Sequence, residues 1–141
     1  MILKYDVEII AQQFSLIDQQ LFTCVTVSEL LSKRWMDKQN KLKNSPTICK
    51  LTDRFNTIAQ WVASVIVEEI SIDIRVKILS RFICLARTLF TIGNFYGSMA
   101  ILAGVDSSTI TRLKRTWEVS LHFPLSISSF TIYFILSRCF P

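Results

Sequence analysis

The residues Asn94-Phe95-Tyr96-Gly97-Ser98-Met99-Ala100-Ile101-Leu102-Ala103-Gly104-Val105-Asp106-Ser107-Ser108 are the most informative stretch of this chain. They predict a helix from Phe95 to about Val105 and the start of another, which runs from Ser108 to about Trp117. Asp106-Ser107-Ser108 suits an amino-terminal cap, because short oxygen-bearing side chains accept hydrogen bonds from the free N–H groups of a first helical turn. The stretch therefore predicts two consecutive helices.

Two longer helices are predicted on the amino-terminal side of this stretch. The first lies between the start signal Ser45-Pro46 and the pair Glu68-Glu69, and the second begins at a capping Asp73 and ends at Gly93. Apolar residues recur in both at steps of three and four, which is the spacing of an amphipathic helix. In the first helix they are Ile48, Leu51, Phe55, Ile58, Val62 and Val65; in the second, Ile74, Ile78, Phe82, Leu85 and Leu89.

The remaining amino-terminal residues predict shorter elements. We expect helices at Val7–Phe14, Leu16–Thr23 and Ser28–Arg34, followed by a polar loop at Lys33–Asn44. No period-two strand pattern precedes residue 119. The expected fold class is all-α, a multi-helix bundle with an irregular apolar carboxy-terminal tail.

Composition excludes several classes of protein. Hydrophobic residues make up 50% of the 141 residues and charged residues 19%, which is too apolar for a disordered chain. The four cysteines form no Cys-x-x-Cys pair, and the single histidine lies outside ligand spacing. We therefore expect no metal site and no cofactor, buried reduced thiols, and a cytoplasmic location that leaves recruitment to a membrane open.

Basic and aromatic residues also have structural explanations. The lysines of residues 33–50 lack interleaved aromatic residues, so a solvated loop is favoured over contact with nucleic acid. Trp35, Trp61 and Trp117 are interpreted as anchors of helix packing. The chain has no Gly-rich phosphate loop, which argues against nucleotide binding or hydrolysis by the chain itself.

Five sequence blocks together resemble a known family. In this order, they are similar to the amino-terminal half of the Ras-type guanine-nucleotide exchange domain, also called the CDC25-homology domain. The resemblance covers residues 3–118 and is in register with the predicted helices. The blocks are Leu16-Ile17-Asp18-Gln19-Gln20-Leu21-Phe22; Glu29-Leu30-Leu31 with Trp35; Ser45-Pro46; Arg54-Phe55-Asn56 with Trp61-Val62-Ala63; and Asn94–Ser108 with Arg112–Glu118.

This resemblance implies a partner and a mechanism. The partner would be a small GTPase of the Ras, Rap or Ral type. Such a domain holds switch II with its central helices, and a helical hairpin displaces switch I from the nucleotide, so that GDP dissociates. No bond is made or broken, and the protein is an exchange factor that acts by preferential binding to the nucleotide-free GTPase.

The resemblance also implies a set of GTPase-binding residues. Helix geometry agrees for the long helix, where Thr52, Asn56 and Ala59 lie roughly 80–140° around the axis from Leu51, away from the apolar stripe. Asp106 stands where an amide is frequent in the family, and Thr111 where an aromatic or larger polar residue is frequent. The alternative is that Asp106 and Ser108 only cap a helix and that Met99 belongs to the core. The implied contacts are Thr52, Phe55, Asn56, Met99, Asp106, Ser108 and Thr111.

Residues 119–141 depart from the family pattern. Nineteen uncharged residues run from Val119 to Ser137, and we find no counterpart of the switch I hairpin there. Three explanations stay open: translation of an intron, a carboxy-terminal membrane anchor, or an apolar cap that covers exposed core. Membrane contact through residues 119–137 is not the favoured one. The expected division is a partial exchange domain at 3–118 and a tail at 119–141.

Three functions are compatible with these observations. The first is an exchange factor for a Ras-class GTPase, incomplete and weak or inactive alone. The second is a non-catalytic module that competes for switch II. The third is an unrelated all-helical interaction protein. Binding to a GTPase separates the third function from the others, and release of GDP separates the first from the second.

Overall fold

Helices make up nearly all of the regular structure. The computed structural model describes residues 2–36 and 39–122, apart from the side chains of residues 32–34, 121 and 122. Within those residues there is no strand, and the predicted all-α fold is confirmed. The elements are α1 (Val7–Thr23), α2 (Val27–Leu30), a 3-10 helix (Leu31–Met36), α3 (Lys41–Asn44), α4 (Pro46–Glu68), α5 (Ile72–Thr91), α6 (Phe95–Val105), α7 (Ser108–Thr111) and α8 (Lys114–His122).

Local sequence signals place the boundaries of the long helices. α4 begins at Pro46, where the missing N–H of proline costs nothing, and α6 occupies the predicted residues. Gly93 follows α5 with φ of +86°, a conformation that glycine adopts without strain. These predictions are confirmed.

Other boundary predictions are wrong. α1 is continuous, because the Ser15 hydroxyl donates to the Ala11 carbonyl at 2.8 Å inside the helix and does not interrupt it. The helix expected from Ser108 to Trp117 is divided into α7 and α8 by a turn in which the Leu113 N–H donates to the Ile110 carbonyl at 3.0 Å.

The expected caps and the polar connection also differ from the structure. Asp73 lies in the first turn of α5, at the second residue of the helix. The capping position before the helix is occupied by Ser71. The helix expected at Ser28–Arg34 is divided between α2 and the 3-10 helix, which extends into the predicted loop, and α3 forms at the end of that loop. Short elements of this kind escape a search for helical periodicity.

The cysteine prediction holds in part. Cys49 is buried, whereas Cys24 and Cys84 are exposed, and all three are free thiols. Cys139 and the three explanations of the tail fall on residues outside the described part of the chain. The expectation of buried thiols is therefore wrong for two of the three described cysteines.

The core lies where α1, α4, α5 and α6 meet. α4 and α6 approach most closely at Gly104, where a Cβ atom would stand 2.6 Å from the Ala59 carbonyl oxygen and 2.7 Å from Val62. Any larger residue would push the two helices apart. Side chains that are fully buried include Val62, Ile66, Val76, Leu79, Phe82, Leu85, Leu89, Ile101 and Ile110.

Two of the three tryptophans, Trp61 and Trp117, pack at the edge of this core. Trp61 is 38% exposed, but its ring lies edge-on to Phe82, with ring centroids 5.2 Å apart, and it also faces Phe14. Trp117 is half-buried against the core and donates from its indole nitrogen to the Ile110 carbonyl at 3.0 Å. Both therefore join one helix to another, as predicted.

Glu29 caps α4 from a distance. Its carboxylate is buried and accepts the N–H groups of Thr47, at 2.8 Å, and Ile48, at 3.2 Å, which are free donors in the first turn of α4. Burial alone would raise the pKa of the Glu29 carboxyl, but the bonds from Thr47, Ile48 and Thr26 outweigh it and hold that pKa below its ordinary value. The negative charge also complements the positive end of the helix dipole.

We expect Glu29→Gln to lower the free energy of unfolding at neutral pH. Because folding lowers the pKa of this carboxyl from 4.5, its stabilising effect is present above that pH and is lost as pH falls through the lower folded pKa. The stability gap between wild type and variant should therefore close as the solution is acidified. Thermal melts across the acidic range measure it, with Glu68→Gln as control; a gap that does not change with pH would contradict the assignment.

Candidate functional site

α4 and α6 lie side by side and run in the same direction. Near the start of α6, the Tyr96 hydroxyl donates to the Leu51 carbonyl, and the Tyr96 ring lies edge-on to Phe55, with centroids 5.8 Å apart. Eight residues later, Gly104 meets Ala59 and Val62. Later residues of α6 therefore contact later residues of α4 over about 12 Å, as expected for two parallel helices.

The pair has a buried inner side and an exposed outer side. Ile58, Val62 and Ile66 of α4 point into the core. Thr52 and Asn56 are exposed on the outer side of α4, about 80–140° around the axis from Leu51, as predicted. On α6, Met99 is 45% exposed, so the alternative that it is a core residue is wrong.

Phe55 lies at the border between the two sides. It is half-buried and packs against Tyr96 and the core. Thr52 donates its hydroxyl to the Ile48 carbonyl at 3.0 Å, which fixes its side chain on the helix. Thr52, Phe55 and Asn56 therefore lie on the part of α4 that contacts Tyr96, and Met99 lies three residues after Tyr96 on α6.

The other three candidate residues lie past the carboxyl end of α6. Asp106 is the residue that caps the carboxyl end of α6. It is half-exposed, and its N–H donates to the Leu102 carbonyl at 2.8 Å. Ser108 is exposed at the start of α7, and the Thr111 hydroxyl donates to the Ser108 carbonyl at 3.3 Å. α7 packs against α4, so the seven candidates form two groups along one pair of helices.

A buried carboxylate holds this pair of helices in register with α1. Asp18 of α1 accepts the Arg54 Nε–H of α4 at 2.7 Å and the Asn94 Nδ2–H at 2.7 Å, and it is 2% exposed. Asn94 also accepts the Gly97 N–H at 2.8 Å, which caps α6. The position of α6 relative to α4 is therefore fixed by a hydrogen-bonded network as well as by apolar packing.

Sequence reasoning did not find this network. Its members come from separate sequence blocks. Arg54 lies 36 residues after Asp18, and Asn94 lies 76 residues after it. The signal was present, since Asp18, Arg54 and Asn94 each lie in a block that carries the family resemblance. A carboxylate that becomes buried when its helix packs also requires a buried cationic or amide partner.

Tyr96 sits beside the network and joins three helices. Its ring lies perpendicular to that of Phe22 on α1, with centroids 5.3 Å apart, in addition to the contact with Phe55 on α4. Burial raises the pKa of the Tyr96 phenol, and the nearby Asp18 carboxylate raises it further. The phenol therefore keeps its proton and serves as the donor to Leu51.

A groove of about 490 Å³ opens next to this network, lined by Asp18, Phe22, Asn94, Phe95 and Tyr96 among others. None of the seven candidate residues lines it. Across the described ranges, no group of three or more His, Cys, Asp or Glu side chains is placed to hold a metal ion. Nor does any helix in those ranges have the length and apolar character required to cross a membrane.

Comparison with known proteins identifies the family. Residues 9–126 match the RasGEF domain. The chain belongs to the RasGEF domain family. The RasGEF domain of this chain is also similar to curated proteins of Dictyostelium discoideum.

Three of these relatives show the extent of the similarity. Ras guanine nucleotide exchange factor P is 43% identical over 113 residues, which are 79% of this chain and 8% of that protein. Factor A is 37% identical over 114 residues, 80% of this chain and 18% of that protein. Factor W is 33% identical over 118 residues, 84% of this chain and 10% of that protein. The RasGEF domain here thus spans less than a fifth of the length of these relatives.

The family match confirms the resemblance and makes the third function, an unrelated helical interaction protein, wrong. It extends to residue 126, and α8 continues through Glu118 to His122. The division of the chain after Glu118 stays a prediction, as do the roles of the seven candidate residues.

We expect Asp18→Asn to destabilise the RasGEF domain by about 2–3 kcal/mol. The amide keeps the size of the side chain but removes the charge that pairs with Arg54. Its NH2 group would also face the donor N–H of either Arg54 or Asn94, so one of the two hydrogen bonds would be lost. Urea denaturation measures the change. Asp53→Asn is the matched control, because Asp53 is exposed on α4 and its loss should cost less than about 0.5 kcal/mol. Equal stability of the two variants would contradict the role of Asp18.

Proposed function

We propose that this RasGEF domain binds a Ras-class small GTPase, of the Ras, Rap or Ral type, and promotes release of its GDP. The observation that carries the proposal is the family match over residues 9–126, together with the exposure of Thr52 and Asn56 on α4 and of Met99 on the neighbouring α6. The curated relatives named above are described as Ras guanine nucleotide exchange factors, which supports a partner of the same class.

The outer side of the α4–α6 pair is the surface that would meet switch II. It offers the hydroxyl of Thr52, the amide of Asn56 and the thioether of Met99, with the half-buried ring of Phe55 between them. Asp106, Ser108 and Thr111 would extend the contact at the other end of the pair. α6 is about 16 Å long, so both groups fit within an interface of ordinary size.

The rigidity of the two helices favours such a role. The close approach at Gly104 and the bonds to Asp18 hold α4 and α6 in one relative position before a partner arrives. A surface that is ordered in advance loses less conformational entropy on binding, so more of the contact energy appears as affinity.

Exchange on this surface requires no bond chemistry. If the domain binds the nucleotide-free GTPase more tightly than the GDP-bound form, linkage lowers the affinity of the GTPase for GDP by the same factor. The domain would then act as an exchange factor by shifting this equilibrium, with side chains that contact the GTPase and none that react with the nucleotide.

A pair of threonine variants on α4 tests the binding surface. Thr52 and Thr57 are both exposed, and each donates its hydroxyl to the carbonyl four residues earlier, at 3.0 Å and 2.8 Å. They lie about 140° apart around the helix axis. We expect Thr52→Ala combined with Asn56→Ala to weaken binding to nucleotide-free GTPase by about 1–3 kcal/mol, whereas Thr57→Ala leaves it unchanged.

Surface plasmon resonance with immobilised GTPase measures this difference. Circular dichroism confirms that each variant keeps its helices, which separates a binding defect from unfolding. If the Thr57 variant loses as much affinity as the double variant, α4 does not present the proposed face to the GTPase.

Release of labelled GDP tests the second half of the proposal. We expect the 141-residue chain to bind the GTPase yet accelerate release only weakly, because residues 119–141 show no sequence counterpart of the hairpin that the family uses on switch I. Binding without acceleration would make the chain a module that competes for switch II. Acceleration as strong as that of a complete RasGEF protein would overturn the expectation of weak activity.

A further inference from the structure

The Tyr96 hydroxyl reaches the interior of a neighbouring helix. It donates to the carbonyl of Leu51, which is the sixth residue of α4 and lies far from the last turn, where helix carbonyls lack partners. In an α-helix that carbonyl already accepts the N–H of the residue four positions later, here Phe55, and a carbonyl oxygen can accept a second hydrogen bond. The bond from Tyr96 is therefore not required to complete α4.

Two contacts of Tyr96 with α4 adjoin candidates for GTPase binding. The Leu51 carbonyl belongs to the planar peptide unit that leads into Thr52, so the bond from Tyr96 restrains the orientation of that unit. The Tyr96 ring lies edge-on to Phe55, with centroids 5.8 Å apart, and Asn56 is the next residue. One side chain thus holds the turn of α4 from Thr52 to Asn56 near both of its ends.

Tyr96 is itself held in place by the other helices. Its ring lies perpendicular to that of Phe22 on α1, with centroids 5.3 Å apart. Its backbone lies in the first turn of α6, where the Asn94 side chain accepts the Gly97 N–H at 2.8 Å and donates to Asp18 at 2.7 Å. Because a tyrosine side chain has only two rotatable bonds, fixing the backbone and the ring also fixes the hydroxyl.

We propose that Tyr96 is a positioning residue for GTPase binding, and that it acts through the orientation of the α4 turn from Thr52 to Asn56. This role rests on the function proposed above for that surface. The hydroxyl holds the Thr52 and Asn56 side chains in the orientation that meets the GTPase. Without it the turn samples other orientations, and binding has to restore the productive one at a cost in affinity. The alternative is that the hydroxyl bonds to Leu51 only because a half-buried tyrosine requires a partner.

A double-mutant cycle of GTPase affinities separates these two explanations. Tyr96→Phe keeps the ring contacts with Phe22 and Phe55 and removes only the donor. We expect it to weaken binding to nucleotide-free GTPase about three- to tenfold, the usual effect of one hydrogen bond. In a background that carries Thr52→Ala and Asn56→Ala, the same change should weaken binding by less than about twofold, because the side chains that it positions are absent.

Hydrogen exchange measures the positioning in the free chain, without a GTPase. We expect Tyr96→Phe to accelerate exchange of the Phe55 and Asn56 N–H groups at least about threefold, and to leave that of Ile66, farther along α4, unchanged. Tyr5→Phe is the matched control, because it removes the hydroxyl of a tyrosine that precedes α1 and is 52% exposed. It should change neither affinity nor exchange.

The outcomes distinguish this role from the proposed function. If the wild-type chain binds the GTPase and Tyr96→Phe binds it equally well, only the role of Tyr96 is wrong. Equal losses of affinity in the two backgrounds would overturn that role, as would unchanged exchange at Phe55 and Asn56. If the wild-type chain binds no Ras-class GTPase, the proposed function itself fails, and the role of Tyr96 in binding fails with it.

Discussion

The Asp18 carboxylate is the constraint on which the arrangement of the helices depends. It is buried on α1 and receives Arg54 from α4 and Asn94 from the start of α6, both at 2.7 Å. A buried carboxylate without such partners would carry a large desolvation cost, so α1, α4 and α6 are stable together only in the register that brings these groups into contact. The Asn94 side chain, which accepts the Gly97 N–H, then determines where α6 begins.

That register produces the outer surface of α4 and α6. Tyr96 fixes one end of the pair through Leu51 and Phe55, and Gly104 allows contact between the two backbones at the other. Thr52 and Asn56 on α4 and Met99 on α6 are consequently exposed on two helices that are held firmly together. If this face binds a GTPase, substitutions at Asp18 or Gly104 would change affinity through the positions of the helices, without contact with the partner.

Sequence reasoning reached the parts of the fold that local signals determine. Pro46 after Ser45, Gly93 after α5 and the helical spacing of α4 all act within a few residues, and helical spacing also assigned Thr52 and Asn56 to an exposed face. The Glu29 cap joins groups 18 and 19 residues apart, and the bonds to Asp18 span 36 and 76 residues. Periodicity cannot detect such pairs. Nor could it assign Met99, because α6 is apolar almost all round and only its packing between α4 and α5 leaves that side chain outside.

Photocrosslinking tests the central claim most directly. A photoreactive amino acid at position 56, on the outer side of α4, would be compared with the same group at the exposed position 77 on α5, each in the presence of nucleotide-free Ras-class GTPase. The account predicts a crosslink from position 56 to switch II and none from position 77. Crosslinking from position 77 alone, or from neither position while the two proteins bind, would contradict it.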